Sequence, residues 1–202
     1  MVEQMTSSKY GPNKLTPSLA EQCSRVIFLD FDGVLHPPRA IAGARPPLEP
    51  HEIQAGWPAT FQHLGILADL LQKHADIAVV VSSSWRIFLN DAQLGELLAP
   101  IVRWYGGSVG NPQIGRDVAI RAWLELNAIT DYVVLDDKPK FFPGPAGTWP
   151  TLILCESETG ISDISVQQKL RDWMNQHTAS KSAAVEGALQ LLGPEQQRAE
   201  PV

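Results

Sequence analysis

Paired carboxylates follow an apolar run near the start of the chain. The stretch VIFLDFDGVLHP (26–37) carries Asp30 and Asp32 where a buried strand should end, and Gly33 follows at once. Alternate residues of an extended strand point to the same side, and glycine lets the chain turn sharply after them. Two such carboxylates can divide the work of phosphoryl transfer. One attacks phosphorus as a nucleophile, and the other gives a proton to the leaving oxygen and later takes one from water.

Two further polar clusters follow apolar runs in the same way. The serines Ser82–Ser84 come after DIAVVV (76–81), and Asp136 and Asp137 end DYVVLDD (131–137). The carboxyl ends of parallel strands meet at one edge of a sheet, so we expect all three clusters to converge there. Serines at a strand-to-helix turn, beside outward-pointing backbone N–H groups, can hold a phosphate oxygen.

The clustered acids would repel one another. Each like-charged pair about 4 Å apart costs on the order of 4 kcal/mol at an effective dielectric near 20. A hard divalent cation with oxygen ligands removes this cost, and Mg²⁺ bound by one or two carboxylates plus a substrate phosphate is the common solution. Arg116, at the start of a predicted helix, can reach the same edge and offset the charge of nucleophile and phosphate together. The sequence therefore predicts a magnesium ion and a phosphorylated substrate.

The alternation of apolar runs predicts an α/β fold with a doubly wound, mostly parallel sheet. Buried strands are predicted at 25–31, 76–81, 131–137 and 151–155. Helices are predicted at 59–75, 91–101, 115–127 (capped by Asp117) and 164–177. The segment 36–58 holds six prolines, which argues against a regular helix or a central strand and predicts a surface excursion.

The 202 residues are enough for one such domain. We expect a flexible N-terminal arm at 1–21, a catalytic domain at 22–178 with a proline-rich loop insertion at 36–58, and a flexible or partly helical tail at 179–202.

The net charge of −6 argues against broad electrostatic binding to nucleic acid or to an anionic membrane, but it leaves a local basic pocket possible. The N-terminal stretch lacks an apolar signal segment, and no stretch approaches 18 apolar residues, so a cytoplasmic location is expected. Cys23 and Cys155 are expected to be buried free thiols.

Four stretches resemble, in order, the motifs of the haloacid dehalogenase-like (HAD) phosphohydrolase superfamily: FLDFDGVL, VVVSSSWR, Arg116 and VVLDD. The resemblance covers roughly residues 25–177. The sequence further resembles a small capless branch, the HAD domains found alone in bacteria and within multidomain RNA-repair proteins. This implies a HAD-like Rossmannoid core with no separate cap domain. Neither gap between the motifs, 35–58 or 87–115, is long enough to fold as an independent lid.

The resemblance implies catalytic and metal-binding roles for the acids. Asp30 would be the nucleophile that forms an aspartyl-phosphate, and Asp32 the general acid/base. Asp30, the backbone carbonyl of Asp32 and one acid of the last motif would bind Mg²⁺, with Asp137 preferred over Asp136. The five histidines show no metal-ligand spacing and receive no role. Lys138 is expected in a solvated loop, with a position at the rim of the cleft as the alternative.

The second and third motifs would supply the contacts to phosphate. Ser83 is the preferred catalytic hydroxyl, while Ser82 and Ser84 are further candidates whose alternatives are ending the strand and capping the next helix. Arg116 stands where the superfamily usually has lysine, and its alternative is a surface position. Arg86 is a candidate for contacting a substrate phosphate, with a surface ion pair as the alternative.

These features predict a Mg²⁺-dependent phosphomonoesterase that acts on a large or exposed substrate, such as a nucleic-acid end. An open site would enclose a small metabolite poorly. A protein phosphatase would suit the same open geometry. A phosphate- or metal-binding module without catalysis is the alternative from another class, although a binding site has no need of a general acid. The sequence leaves the oligomeric state open.

Overall fold

Alternating strands and helices form a parallel sheet covered on both faces. The computed structural model describes residues 14–15, 19, 22–44, 48–110, 113–145 and 147–176. In this part of the chain the sheet has five strands in the order β3–β2–β1–β4–β5, and every pairing is parallel. The strands are β1 (Arg25–Leu29), β2 (Ile77–Val81), β3 (Tyr105–Ser108), β4 (Asp131–Asp136) and β5 (Leu152–Leu154). The predicted α/β class and doubly wound parallel sheet are confirmed.

Helices pack on both faces because side chains of each strand alternate between them. The helices are α1 (Pro50–Gly56), α2 (Leu64–Leu71), α3 (Asp91–Leu97), α4 (Arg116–Asn127) and α5 (164–176). Ile27 and Leu29 of β1 share one apolar cluster with α2, α3 and α5. Val26 and Phe28 share the other with α4. Neither connection between the motifs folds as a separate cap domain within the described residues.

The proline-rich segment 36–58 is more regular than predicted. It contains a 3-10 turn, Pro38–Ile41, and helix α1. Pro50 is the first residue of α1, where a missing N–H costs no hydrogen bond, and Glu49 and Glu52 form a capping box there. The prediction that this segment contains no regular helix is therefore wrong, because proline breaks a helix only in its interior.

Other local features refine the expected boundaries. The glycine-rich β3 has no apolar run, so its pattern gave no strand signal, yet it pairs with β2 at the edge of the sheet. Helix α4 begins after Gly115, and Asp117 lies in its first turn instead of capping it.

Leu15, in the predicted arm, is buried, and its backbone N–H donates to the side-chain oxygen of Asn127 (3.0 Å). The rest of the arm lies mostly, and the tail 179–202 wholly, outside the described residues.

The structure also describes the state of the two cysteines and the length and apolarity of the helices. Cys23 and Cys155 are buried and unpaired, as predicted. None of the helices in the described ranges is long and apolar enough to cross a membrane.

Gly160 lets the loop after β5 pack against the turn after β1. Its φ is +53°, and a Cβ there would lie 2.2 Å from the backbone oxygen of Val34. We expect Gly160→Ala to lower the free energy of unfolding by about 2–4 kcal/mol, through overpacking and backbone strain together. Gly43→Ala is the control, because its φ is also positive (+82°) but its Cβ would meet nothing within 4 Å. It should cost only about 1 kcal/mol. Urea denaturation measures both, and equal losses would contradict a role for the close contact.

Candidate active site

The carboxyl ends of three neighbouring strands bring the motifs together. Asp30 follows β1, Ser82 follows β2 and Asp136 ends β4. Because β1 lies between β2 and β4, these three ends are adjacent. Oxygens of Asp30, Asp136 and Asp137 all lie within 4.8 Å of one another. The predicted convergence of these acids at one edge is thus what the fold produces.

The donor set of this cluster suits a hard divalent cation. All three carboxylates are buried. Oδ1 of Asp137 is buried and has no hydrogen-bond partner in the described part of the chain. A buried acceptor without a donor is costly, and a cation ligated by carboxylate oxygens removes the cost. The carboxylate of Asp32 lies outside this group, which leaves its backbone carbonyl as the expected contribution.

The two acids of the last motif differ in their partners. One oxygen of Asp136 accepts from Arg116, and the other accepts from the backbone N–H of Lys138 (2.8 Å). Among the described residues, Asp137 has hydrogen-bond partners only at Oδ2, which accepts from the ammonium group of Lys138 and from the hydroxyl of Ser157 (2.5 Å). The free oxygen of Asp137 supports the preference for Asp137 as the direct ligand. Lys138, whose side chain is 39% exposed, contacts the cluster from its rim, which was the alternative to a solvated loop position.

Gly33 makes room for Asp137. Its φ is +77°, and a Cβ at this position would lie 2.2 Å from Oδ2 of Asp137. The glycine of the first motif is therefore required twice, for the turn and for the approach of the last motif's carboxylate. The sequence alone predicted only the first of these requirements, a glycine for the sharp turn.

Arg116 holds two carboxylates with one nitrogen. Its Nη1 donates to Oδ2 of Asp30 (2.5 Å) and to Oδ2 of Asp136, and its side chain is buried. Burial raises the pKa of Asp30 above its ordinary value, and Arg116 offsets this only in part. Burial, and then repulsion from Asp30, raises the pKa of Asp136 to about 7. When both carboxylates are ionised, one guanidinium leaves a net negative charge, which a cation would balance.

Asp32 has a separate environment. Nε1 of Trp85 donates to its Oδ2 (2.9 Å), and Nε2 of His36 lies 3.2 Å from its Oδ1. The backbone N–H of Phe61 donates to Nδ1 of His36 (3.3 Å), so the proton of a neutral imidazole lies on Nε2, toward Asp32. Burial alone would raise the pKa of Asp32, but these hydrogen bonds lower it below its usual value. Asp30 and Asp32 therefore have opposite pKa shifts, because burial dominates for Asp30 and hydrogen bonds dominate for Asp32.

His36 is a site residue that the sequence reasoning missed. Its spacing does not fit a metal ligand, and its role is that of a hydrogen-bond donor four residues after Asp32. Its ring lies in an aromatic cluster with Phe61 and Trp85. Phe61 has a positive φ of 62°, uncommon for a bulky residue, which indicates that the packing around it fixes its backbone.

The three serines have different surroundings. Ser82 and Ser83 are buried, whereas Ser84 is exposed. Ser83 hydrogen-bonds Asp30, and its Oγ caps the 3-10 turn that follows, which was the alternative role given to Ser84. Oγ of Ser82 is buried and lacks a partner among the residues described. Both buried hydroxyls stay candidates for binding phosphate: Ser83 contacts the predicted nucleophile, and Ser82 has an unused hydroxyl.

Arg86 stabilises the turn at Ser82–Ser84 by donating hydrogen bonds to its backbone. Its Nη1 donates to the carbonyls of Ser82 (2.6 Å) and Ser83 (2.7 Å). Burial, and then repulsion from Arg116, lowers the pKa of Arg86 to about 10. These contacts place Arg86 beside the site, and they are not the surface ion pair considered as the alternative. A direct contact with substrate phosphate stays a prediction.

Comparison with protein families agrees with this geometry. A model of the family described as the HAD domain in Swiss Army Knife RNA repair proteins matches residues 26–166. The matched residues run from β1 into α5 and contain all four motifs. No curated protein and no solved structure matches the chain.

The raised pKa of Asp136 predicts a pH-dependent stability in metal-free protein. Its pKa is higher in the folded than in the unfolded chain, so the folded state binds more protons between about pH 4 and pH 7. The free energy of unfolding should therefore fall, by up to a few kcal/mol, as the pH rises through this window. Urea denaturation in EDTA at a series of pH values measures the slope, which should be shallower for Asp136→Asn. Stability that rises through the same window would contradict this assignment.

The hydrogen bond from His36 to Asp32 should be measurable by substitution. His36→Phe keeps a ring against Phe61 and Trp85 but removes the N–H donor. We expect the free energy of unfolding to fall by about 1–3 kcal/mol, because a partly buried carboxylate loses a donor. His63→Phe is the control, since His63 is outside this hydrogen-bond network, and it should change stability little. Indistinguishable denaturation midpoints for the two variants would argue that the contact is unimportant.

Proposed function

We propose that this chain, which belongs to the family of HAD domains in Swiss Army Knife RNA repair proteins, is a Mg²⁺-dependent phosphomonoesterase. The observation that carries the proposal is the group of buried carboxylates from Asp30, Asp136 and Asp137, with oxygens within 4.8 Å of one another. Family membership supports hydrolase chemistry. The separately held Asp32 supports catalysis over mere binding, because a phosphate-binding module has no use for a second, differently tuned carboxylate.

The proposed reaction has two steps. An oxygen of Asp30 attacks phosphorus, the bond to the leaving oxygen breaks, and Asp32 gives that oxygen its proton. Asp32 then takes a proton from water, whose oxygen attacks the aspartyl-phosphate, releases phosphate and restores Asp30. The lowered pKa of Asp32 keeps its carboxylate ionised, so that it is able to accept a proton in the second step. A bound phosphate dianion would raise that pKa and favour the protonated form in the first.

The other residues bind and orient the substrate. Asp30, Asp137 and the backbone carbonyl of Asp32 are the proposed ligands of Mg²⁺, which when bound offsets negative charge and polarises a phosphoryl oxygen. Arg116 fixes the carboxylate of Asp30, and its charge also stabilises the incoming phosphate. The hydroxyls of Ser82 and Ser83 are the proposed hydrogen-bond donors to the phosphate oxygens.

A phosphorylated nucleic-acid end is the proposed substrate class. The family description, an RNA-repair context, supports this class. So does the lack of a separate cap domain in the described residues, because an uncovered edge admits a phosphate carried on a large molecule. A phosphoprotein is the rival that the same geometry permits.

Loss of the nucleophile should abolish turnover. We expect Asp30→Asn to reduce kcat for an aryl phosphate by on the order of 10³-fold or more, and EDTA to have a similar effect that Mg²⁺ reverses. Asp172→Asn, an exposed acid on α5, is the control and should keep full activity. Mass spectrometry of acid-quenched wild-type protein should find a phosphoryl adduct on the peptide that contains Asp30. Undiminished turnover by Asp30→Asn would overturn the mechanism.

A substrate panel tests the substrate class. Oligonucleotides with 3′- or 5′-phosphates are compared with phosphopeptides and sugar phosphates under the same conditions. We expect the highest kcat/KM for one of the oligonucleotides. A preference for phosphopeptides would favour the protein phosphatase, and phosphate binding without turnover in any divalent metal would favour the non-catalytic module.

A further inference from the structure

An apolar pocket opens beside the proposed general acid. It has a volume of about 180 Å³, and Asp32 forms part of its wall. The excursion after β1 contributes one side of the pocket, and the turn after β2 contributes the other. The lining residues besides Asp32 are Ile41, Ala44, Leu48, Ile53, Ser84, Trp85, Phe88 and Leu89.

The position of Asp32 assigns this pocket to the leaving side of the reaction. In the proposed mechanism Asp32 gives its proton to the leaving oxygen, so the rest of the leaving group must begin next to Asp32. The phosphoryl group itself lies at the carboxylate cluster, where Asp30 and Arg116 meet. The pocket therefore faces the part of the substrate that remains after the phosphate has gone.

The side chains that line the pocket determine which kind of leaving group can bind there. Apart from Asp32 and Ser84, all of its side chains are apolar or aromatic, so a charged or strongly hydrated group would lose its water without compensation. Phe88 lines the pocket with its side chain 51% exposed, which leaves ring surface for a ligand to cover. An apolar cavity of about 150 Å³ is known to hold a benzene ring, so a pocket of this volume accepts one planar ring system.

We infer that this pocket binds the nucleobase of the nucleotide that carries the phosphate, with Phe88 as the stacking surface. The inference rests on the proposed function and deepens it, because it names the feature that would replace a cap domain in selecting substrates. Aromatic side chains recognise unpaired bases by stacking, and the polar edge of a base has Ser84 within the same lining. The proline-rich excursion then provides specificity, since three of its residues before α1 line the pocket: Ile41, Ala44 and Leu48.

Binding measurements test the inference separately from turnover. The ligands are two RNA oligonucleotides with the same terminal phosphate, one with a normal terminal nucleotide and one abasic at that nucleotide. Their affinities for Asp30→Asn protein are measured by fluorescence anisotropy, and kcat/KM is measured with wild-type protein. We expect removal of the base to weaken binding and to lower kcat/KM, each by on the order of tenfold.

Three variants locate the effect. Phe88→Ala should remove most of the preference for the normal oligonucleotide over the abasic one, and Ala44→Phe should do the same by filling the pocket. Ile87→Ala is the matched control, because Ile87 lies in the same turn and is equally exposed (51%) but does not line the pocket. It should keep the full preference. Thermal unfolding of each variant confirms that the fold is intact.

The outcomes separate the two proposals. Equal binding and turnover of normal and abasic oligonucleotides by an active wild-type protein would overturn the pocket assignment and leave the phosphatase proposal standing. A wild-type protein that binds the normal oligonucleotide more tightly but hydrolyses no phosphate ester would support the pocket and overturn the phosphatase proposal. Stronger binding of a phosphotyrosine peptide than of the normal oligonucleotide, lost in Phe88→Ala, would overturn the nucleobase in favour of a protein substrate.

Discussion

Arg116 donates from a single nitrogen to the carboxylates of Asp30 and Asp136, which the sheet holds side by side at the ends of β1 and β4. The guanidinium is buried and comes from α4, which packs on the sheet through Trp123 against Phe28 (5.4 Å between ring centroids). Lys138 compensates the third acid, Asp137. When all three acids are ionised, the two basic groups that contact them leave one negative charge without a direct partner. The fold thus creates a charge that a divalent cation is suited to balance.

The two acids of the first motif have different pKa shifts because their surroundings differ. Asp30 lies inside the cluster, where burial raises its pKa, while Asp32 faces the indole of Trp85 and the imidazole of His36, which lower its pKa. The two carboxylates are two residues apart in the chain, and only their partners distinguish them. Neighbouring positions in the chain thus acquire different proton affinities from contacts that only the folded structure creates.

The excursion after β1 has a place in the same arrangement. It is too short to form a lid. On one side of Asp32, the backbone N–H of Phe61 donates to His36, and His36 in turn contacts Asp32. On the other side of Asp32, apolar side chains of the excursion form part of the wall of the pocket. In a family member with no separate cap, positioning of the acid and selection of the leaving group would then come from one short segment.

The sequence by itself determined the α/β class, the central strands and the residues that meet at the sheet edge. Continuous apolar runs mark buried parallel strands, and polar residues directly after them must lie at one edge, so Asp30, Ser82 and Asp136 could be placed without coordinates. Only the tertiary structure decided which oxygen of Asp137 is free, why Gly33 must lack a side chain, and that Lys138 and His36 belong to the site. Those facts depend on contacts between strands and loops far apart in the chain, and no local pattern encodes such distances. The glycine-rich β3 and the helix that begins at Pro50 were missed for a related reason: pairing with β2, and proline's position at a helix start, prevailed over local composition.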